Sequence, residues 1–287
     1  MPTEAARFVL TLSCGDRRGI VAAVANCIAS QDCNIVESAQ YGDPETERFF
    51  MRVAFSAPAA VSAESFGRGF RPVATAYDFD WQLNDLSIKP RALIMVSKLG
   101  HCLNDLLYRH SIGHLRMDLV AVVSNHETMR RRVEADGLPY ICLPVAEGGR
   151  DEQERALIAL LEAERVDLVV LARYMQIFSN ELALRLMGRA INIHHSFLPS
   201  FVGAKPYHKA HARGVKLIGA TAHYVTPDLD EGPIIEQDVE RISHRDRPDD
   251  LIRKGRDIER RVLARAIANV LEDRVLLNHG KTVVFEG

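Results

Sequence analysis

The chain has 287 residues, 47% of them hydrophobic and 26% charged, with 36 basic side chains against 38 acidic ones and a net charge of -2. That is the profile of a globular protein of one or two domains, and so even a balance exerts no global pull on nucleic acid or an anionic membrane. The five cysteines (Cys14, Cys27, Cys33, Cys102 and Cys142) form no CxxC pair, and the longest apolar runs, such as VDLVVLA at 166–172, are far too short to span a bilayer, so reduced thiols and a cytoplasmic setting are expected.

From the N-terminus, FVLTLSC (8–14) reads as a strand, and DRRGIVAAVANCIASQD (16–32) switches to helical spacing. Ile20, Val21, Val24, Cys27 and Ile28 fall on one face of that helix. CNIVESAQYG (33–42) and RFFMRVAFS (48–56) flank the turn residues Asp43 and Pro44 in a hairpin pattern. An alanine-rich helical stretch (60–76) and a closing strand, FDWQLND (79–85), complete the order β-α-β-β-α-β, a ferredoxin-like unit assigned to residues 1–86. Where the first strand meets the helix stands Asp16-Arg17-Arg18-Gly19-Ile20-Val21. A helix N-terminus there offers unpaired N–H groups to a carboxylate ligand, and Gly19 lets the backbone approach it closely. The same residues also suit a plain turn and cap.

Together with the strand opening at Asn34-Ile35, these features make the first half resemble an ACT domain, a small regulatory module that commonly binds amino acids. The resemblance implies effector contacts at Asp16, Gly19, Ile20 and Asn34, with glycine or methionine as the effector. Exposed edges of ferredoxin-like sheets often pair, so a homo-oligomer is expected.

KPR (89–91) reads as a linker, and the second domain is assigned to residues 87–287. ALIMVS (92–97), LVAVVS (119–124), YICLP (140–144) and DLVVLA (167–172) are short apolar runs separated by helical segments near 101–110, 127–136 and 152–164. Runs apolar on both faces belong to parallel strands covered by helices on both sides. The expectation is a Rossmann-like domain with a mostly parallel sheet, whose ligands bind at the carboxyl ends of the strands. The loops of interest therefore follow residues 97, 124, 172 and 193.

The first of these loops, KLGHCLNDLL, holds a single glycine, whereas a phosphate cradle needs several. A nucleotide phosphate is not expected there, and His101 reads as a helix-start residue or a substrate contact. In RAINIHHSFLPSF (189–201) a strand ends at Asn192 and His194 projects just past it. In TPDLDEGPII (226–235), Asp230 precedes Glu231-Gly232-Pro233, a turn that can aim its carboxylate back at the sheet edge. His194, His195, His208, His211 and His223 offer imidazoles without HExxH or any ligand spacing, so no metal is expected. Ser196 lacks the GxSxG elbow of a serine nucleophile. What remains is an amide, an imidazole and a carboxylate: an oxyanion donor, a proton carrier and a charge to tune them, which suits acyl transfer without a covalent enzyme intermediate. The charged residues of the last helix (248–274) read as a solvated face, and no basic patch or stacking motif points to nucleic acid.

Residues 91–287 resemble the folate-dependent formyltransferase family, whose glycinamide ribonucleotide member carries N-I-H-P-S-x-L-P and later L-D-x-G-P. Here these stand as Asn192-Ile193-His194-His195-Ser196-Phe197-Leu198-Pro199 and Leu229-Asp230-Glu231-Gly232-Pro233, and LARYMQIFS (171–179) is similar to the family's pterin loop. His195 in place of proline, the run GAKPYHKAHARGVKLIGATAHYV (203–225) and the ACT-like half narrow the resemblance to the deformylase branch, which hands the formyl group to water. That resemblance implies 10-formyltetrahydrofolate as substrate, no bound cofactor, and Asn192, His194 and Asp230 as the catalytic trio. It further implies folate contacts from Arg173, Met175, Gln176, Ile177, Phe178, Val225 and Thr226, with Met175 and Ile177 packed on the ring or, in the plainer reading, in ordinary core. Gln176 stands where the transformylase has arginine. His101, His195, Lys205, Tyr207 and His208 would line or close the site, and His195 is the branch marker whose work is open. Two other readings are a transferase with an amine acceptor and a non-catalytic amino-acid sensor.

Overall fold

The structure is a computed structural model that describes residues 6–145, 149–196 and 206–287. The expected contact at Lys205 lies outside the described residues. Backbone contacts divide the chain into two compact units. One comprises 1–89 with 272–278 and 283–287, and the other comprises 90–271 with 279–282.

The first unit holds β1 (Ala6–Gly15), α1 (Ile20–Ser30), β2 (Asn34–Asp43), β3 (Arg48–Ala57), α2 (Ala63–Tyr77) and β4 (Asp80–Asp85). This is the β-α-β-β-α-β order expected from the sequence. The four strands form one antiparallel sheet in the order β2-β3-β1-β4. Central strands are apolar on successive residues because both neighbours and both faces are covered: Phe8, Val9 and Leu10 are all buried, whereas edge strand β2 is exposed at every second residue or more often. Helix α1 contributes Ile20, Val24 and Ile28 to the core, and α2 contributes Phe66 and Phe70. Their aromatic rings continue a cluster in which Phe55 meets Phe66 at 4.7 Å and Phe70 meets Trp81 at 5.0 Å.

The last residues of the chain also belong to this unit. The sequence pattern assigns residues 272–287 to the second domain, but most of them group with the first. Strand β12 (Val275–Asn278) pairs with β13 (Lys281–Val284) in a two-stranded ribbon. Side chains explain the grouping. Arg274, 8% exposed, donates to both carboxylate oxygens of Glu37 and to Glu272, and Asn278 donates to Asp43 at 2.6 Å. No local pattern announces such a return, because Glu37 and Asp43 lie more than two hundred residues away in sequence.

The second unit carries a seven-stranded sheet in the order β11-β10-β9-β8-β5-β6-β7. Strands β5 (Arg91–Val96), β6 (Asp118–Ser124), β7 (Tyr140–Cys142), β8 (Leu168–Leu171) and β9 (Ala190–His194) pair in parallel, while β10 (Leu217–Tyr224) and β11 (Ile234–Arg241) add antiparallel edges. Helices α3 (His101–Ser111), α4 (Arg130–Glu134), α5 (Arg150–Ala163), α6 (Asn180–Arg185), α7 (Pro206–Arg213) and α8 (Pro248–Leu271) complete it. From β5 the chain builds outward through β6 and β7, then returns to place β8 on the other side of β5. The strand order therefore reverses between β5 and β8, the place where open α/β sheets form a ligand crevice at their carboxyl ends. Among the described residues no helix is long and apolar enough to cross a membrane.

Candidate active site

Strand β9 sets the first two site residues by simple alternation. Ile191 and Ile193 are buried on one face, so Asn192 and His194 project from the other. The sequence pattern ends this strand at Asn192; in the structure it runs on to His194. Strand β10 lies antiparallel to it with His223 opposite Asn192, which puts these two side chains on one face as cross-strand neighbours. A β-bulge between Ala222 and His223 interrupts the β10–β11 ladder, a device that re-aims a side chain beside a site.

The loop from β10 to β11 brings in the carboxylate. Asp230 has a left-handed backbone, φ 58°. The return of the chain depends on Gly232, where a Cβ would lie 1.7 Å from the Tyr224 carbonyl oxygen. Only glycine allows that close approach. Asp230 Oδ2 then accepts from His194 Nδ1 at 3.2 Å, and Oδ1 accepts from the Asn192 amide at 3.4 Å and lies 3.6 Å from His223 Nε2. His223 Nδ1 donates to the Tyr224 carbonyl at 2.9 Å. Burial pushes the Asp230 carboxyl up, but hydrogen bonds and charge from His194 and His223 outweigh it and hold it below the usual carboxylate range. At neutral pH it is an anion that fixes His194 with Nδ1 protonated, leaving Nε2 out of this contact.

These residues open on a cavity of about 310 Å³ lined mainly from three strand ends: Leu171 and 173–178 at the end of β8, 192–195 at β9, and His223 with 225–230 at the end of β10. The structure brings together there Arg173, Met175, Gln176, Ile177, Phe178, Asn192, His194, His195, Val225, Thr226 and Asp230, all expected from the sequence. Met175 and Ile177 are not ordinary core: they are 59% and 61% exposed, as is Leu229 at 59%, and all three line the cavity. Exposed apolar side chains gathered in a concave wall are a ligand surface. The loop carrying Met175 and Ile177 is pinned by buried Ser97, whose hydroxyl accepts from Met175 N at 2.9 Å and donates to Asn125 at 2.8 Å.

His101 opens α3, as one of its two readings expected, but departs from the other, and the last helix departs from expectation at one residue. His101 does not line the cavity; its Nε2 donates at 2.7 Å to Glu259, a residue of α8 that is 1% exposed. The reading of the last helix as a solvated charged face fails at Glu259, which also accepts from the Tyr207 hydroxyl at 3.0 Å and lies 3.4 Å from Arg173 Nε. Gly255 makes room for this, since a Cβ there would sit 2.0 Å from the Tyr207 oxygen. Burial pushes Glu259 up, while the His101 hydrogen bond and the Arg173 charge bring it below its ordinary value. His101, Cys102 and Glu259 place three possible ligand atoms within 4.8 Å of one another. The Arg173 cation beside them and a thiol that burial pushes well up make the cluster a poor cation site. Sequence reasoning misses the parts played by His223 and Glu259, which are legible there only as a spare imidazole and one of many helix charges.

In the first unit, Gly19 caps α1 with φ 91° and Asn34 opens β2, both exposed with Asp16, while the Ile20 side chain is buried core.

Residues 90–267 match the family model for formyl transferase. The formyltetrahydrofolate deformylase of Bacillus subtilis (strain 168) is 48% identical over 278 residues, covering 96% of this chain and 93% of that protein. The crystal structure of formyltetrahydrofolate deformylase from Burkholderia mallei is 49% identical, with a TM-score of 0.94 over 98% of this chain and 100% of that one. Glycinamide ribonucleotide transformylase 1 from Symbiobacterium toebii, by contrast, is 29% identical with a TM-score of 0.65, covering 69% of this chain and 95% of that one. With likeness to deformylases running through both units, the chain belongs to the formyltetrahydrofolate deformylase family, within the formyl transferases.

Proposed function

We propose that the protein hydrolyses 10-formyltetrahydrofolate to formate and tetrahydrofolate, with Asn192, His194 and Asp230 carrying the reaction. The observation that supports it most is the triangle these three side chains make, with the His194–Asp230 contact at 3.2 Å and the Asn192–Asp230 contact at 3.4 Å, at the edge of an apolar-walled cavity. The pterin lies against Met175, Ile177 and Leu229, and the backbone of the 173–178 loop and of Val225 and Thr226 hydrogen-bonds its edge. Water attacks the formyl carbon as Asp230, directly or through a second water, takes its proton and relays it through solvent in the cavity to His194 Nε2, which thereby becomes a donor. The oxyanion that forms is met by the Asn192 amide and by His194. Both Asn192 contacts are long, at 3.3 and 3.4 Å, so its N–H groups can turn to a stronger acceptor at little cost. The C–N bond then breaks, N10 of the folate receives a proton from His194, and formate leaves.

The first unit serves as an amino-acid-responsive module that pairs with a second copy. The likeness to a transformylase favours a formyl transfer as the second reading. Formate release from 10-formyltetrahydrofolate, with and without glycinamide ribonucleotide, separates the two. The hydrolase reading expects formate without any acceptor, lost in Asp230→Asn. Formyl transfer only in the presence of the ribonucleotide would overturn it.

A further inference from the structure

Asp230 and His195 both hold the His194 ring. The Asp230 carboxylate takes its Nδ1–H, and the His195 ring stacks on it with centroids 4.7 Å apart and planes 25° from parallel. A stacking partner holds a plane only if it is itself held. Arg173 does this, with Nη1 3.0 Å from His195 Nδ1. A guanidinium can only donate, so Nδ1 accepts and His195 carries its proton on Nε2. Arg173 is fixed in turn. Its backbone is left-handed at φ 65°, its carbonyl accepts from Ser97 N at 3.2 Å, and its Nε faces Glu259 at 3.4 Å. Glu259 is locked by His101 and Tyr207.

We propose that Glu259, Arg173 and His195 form a positioning chain for His194, which ends in an uncharged imidazole stacked on the one that moves the proton. The inference rests on the hydrolase reading above. Charge is why neutrality matters: His194 becomes cationic when it accepts a proton, and a second imidazolium stacked on it would oppose that step. The groups facing His195 come from every element around it. Arg173 after β8 and His194 on β9 disfavour its protonation, Glu259 on α8 and Asp230 before β11 favour it, and the Tyr207 ring of α7 lies 6.4 Å away. Burial and the Arg173 charge prevail, lowering His195 from 6.5 to about 4. The chain also gives His195 a task that a proline at this position could not perform.

The test uses histidine labelled with 15N in the whole protein, read beside formate release as a function of pH. In wild type, the resonances lost in His195→Gln should show a protonated Nε2, a bare Nδ1 and no titration between about pH 5 and 8. Arg173→Met should bring that titration back into the window and lower kcat roughly tenfold or more, with a smaller change in KM and a larger loss at pH 6 than at pH 8. His195→Gln keeps an acceptor for Arg173 but no ring, so it should lower kcat by a similar factor with no new ionisation. A wild-type His195 protonated on Nδ1 or titrating normally overturns the proposal, and so does wild-type kcat in His195→Gln. Failure of the wild-type protein to release formate would instead strike the hydrolase reading, since the ring measurement does not depend on turnover.

Discussion

Asn192 owes its place to alternation on β9 and its freedom to weak partners. Its two contacts, with His223 Nε2 and Asp230 Oδ1, are both longer than an ordinary amide hydrogen bond. In the proposed hydrolysis Asn192 is the oxyanion donor, a role worth on the order of 3 kcal/mol in the transition state. Asn192→Ala should therefore lower kcat roughly a hundredfold or more while leaving KM within a few-fold; steady-state formate release checks this, and near-normal kcat would remove the residue from the mechanism. His195 makes a separate prediction about stability. Its imidazole takes up a proton near 6.5 when unfolded and near 4 when folded. Between those values the unfolded chain binds the proton and the folded one does not, so stability falls as pH drops through that window. Asp230 and Glu259 are also shifted below their ordinary values, and as carboxylates they stay ionised down to about pH 5 in either state. The loss of Tm from pH 7 to pH 5 should accordingly be smaller in His195→Gln than in wild type. An equal loss would mean that His195 titrates normally in the fold.

At the scale of elements, the site is made by three strand ends and a turn, and the turn is the least forgiving part. Gly232→Ala would drive a Cβ to within 1.7 Å of the Tyr224 carbonyl, so backbone must move. The expected cost is about 3 kcal/mol of stability, with kcat down roughly a hundredfold as the Asp230 carboxylate is displaced. Urea unfolding and formate release measure the two; wild-type values in both would mean the turn relaxes freely. The L-D-x-G-P motif marks this turn in the sequence because glycine and proline announce their backbone needs locally. The parallel strands are legible for a similar reason: apolar runs such as VDLVVLA have no polar face to offer. His223 and Glu259 are not. The part each plays depends on pairing, His223 through the register of β9 with β10 and Glu259 through α8 meeting residues from α3, α7 and the β8 loop. Periodicity reports which residues share a face, but not which distant residue that face will meet.

For the whole molecule, the consequential fact is that the first unit is discontinuous. Residues 272–278 and 283–287 complete a domain begun at the N-terminus. Arg274 is the centre of that closure, reaching Glu37 at 2.9 Å, Glu272 at 2.7 Å and the Glu286 carbonyl at 3.0 Å, while Arg52 donates to the Glu272 carbonyl at 3.0 Å. Hydrogen bonds to charged groups are worth about 2 kcal/mol each, and removing one partner leaves the others short of theirs. Arg274→Ala should thus destabilise the first unit by about 2 kcal/mol. The chain holds a single tryptophan, Trp81 on β4, packed against Phe70 within the first unit, so its fluorescence follows this unit alone. In urea, the Trp81 transition of Arg274→Ala should move to lower denaturant with little change in slope. A transition that stays in place would show that the terminal segment adds no stability to the unit. In that case residues 1–89 would hold the fold alone, and the chain's return would serve only to tie its two ends.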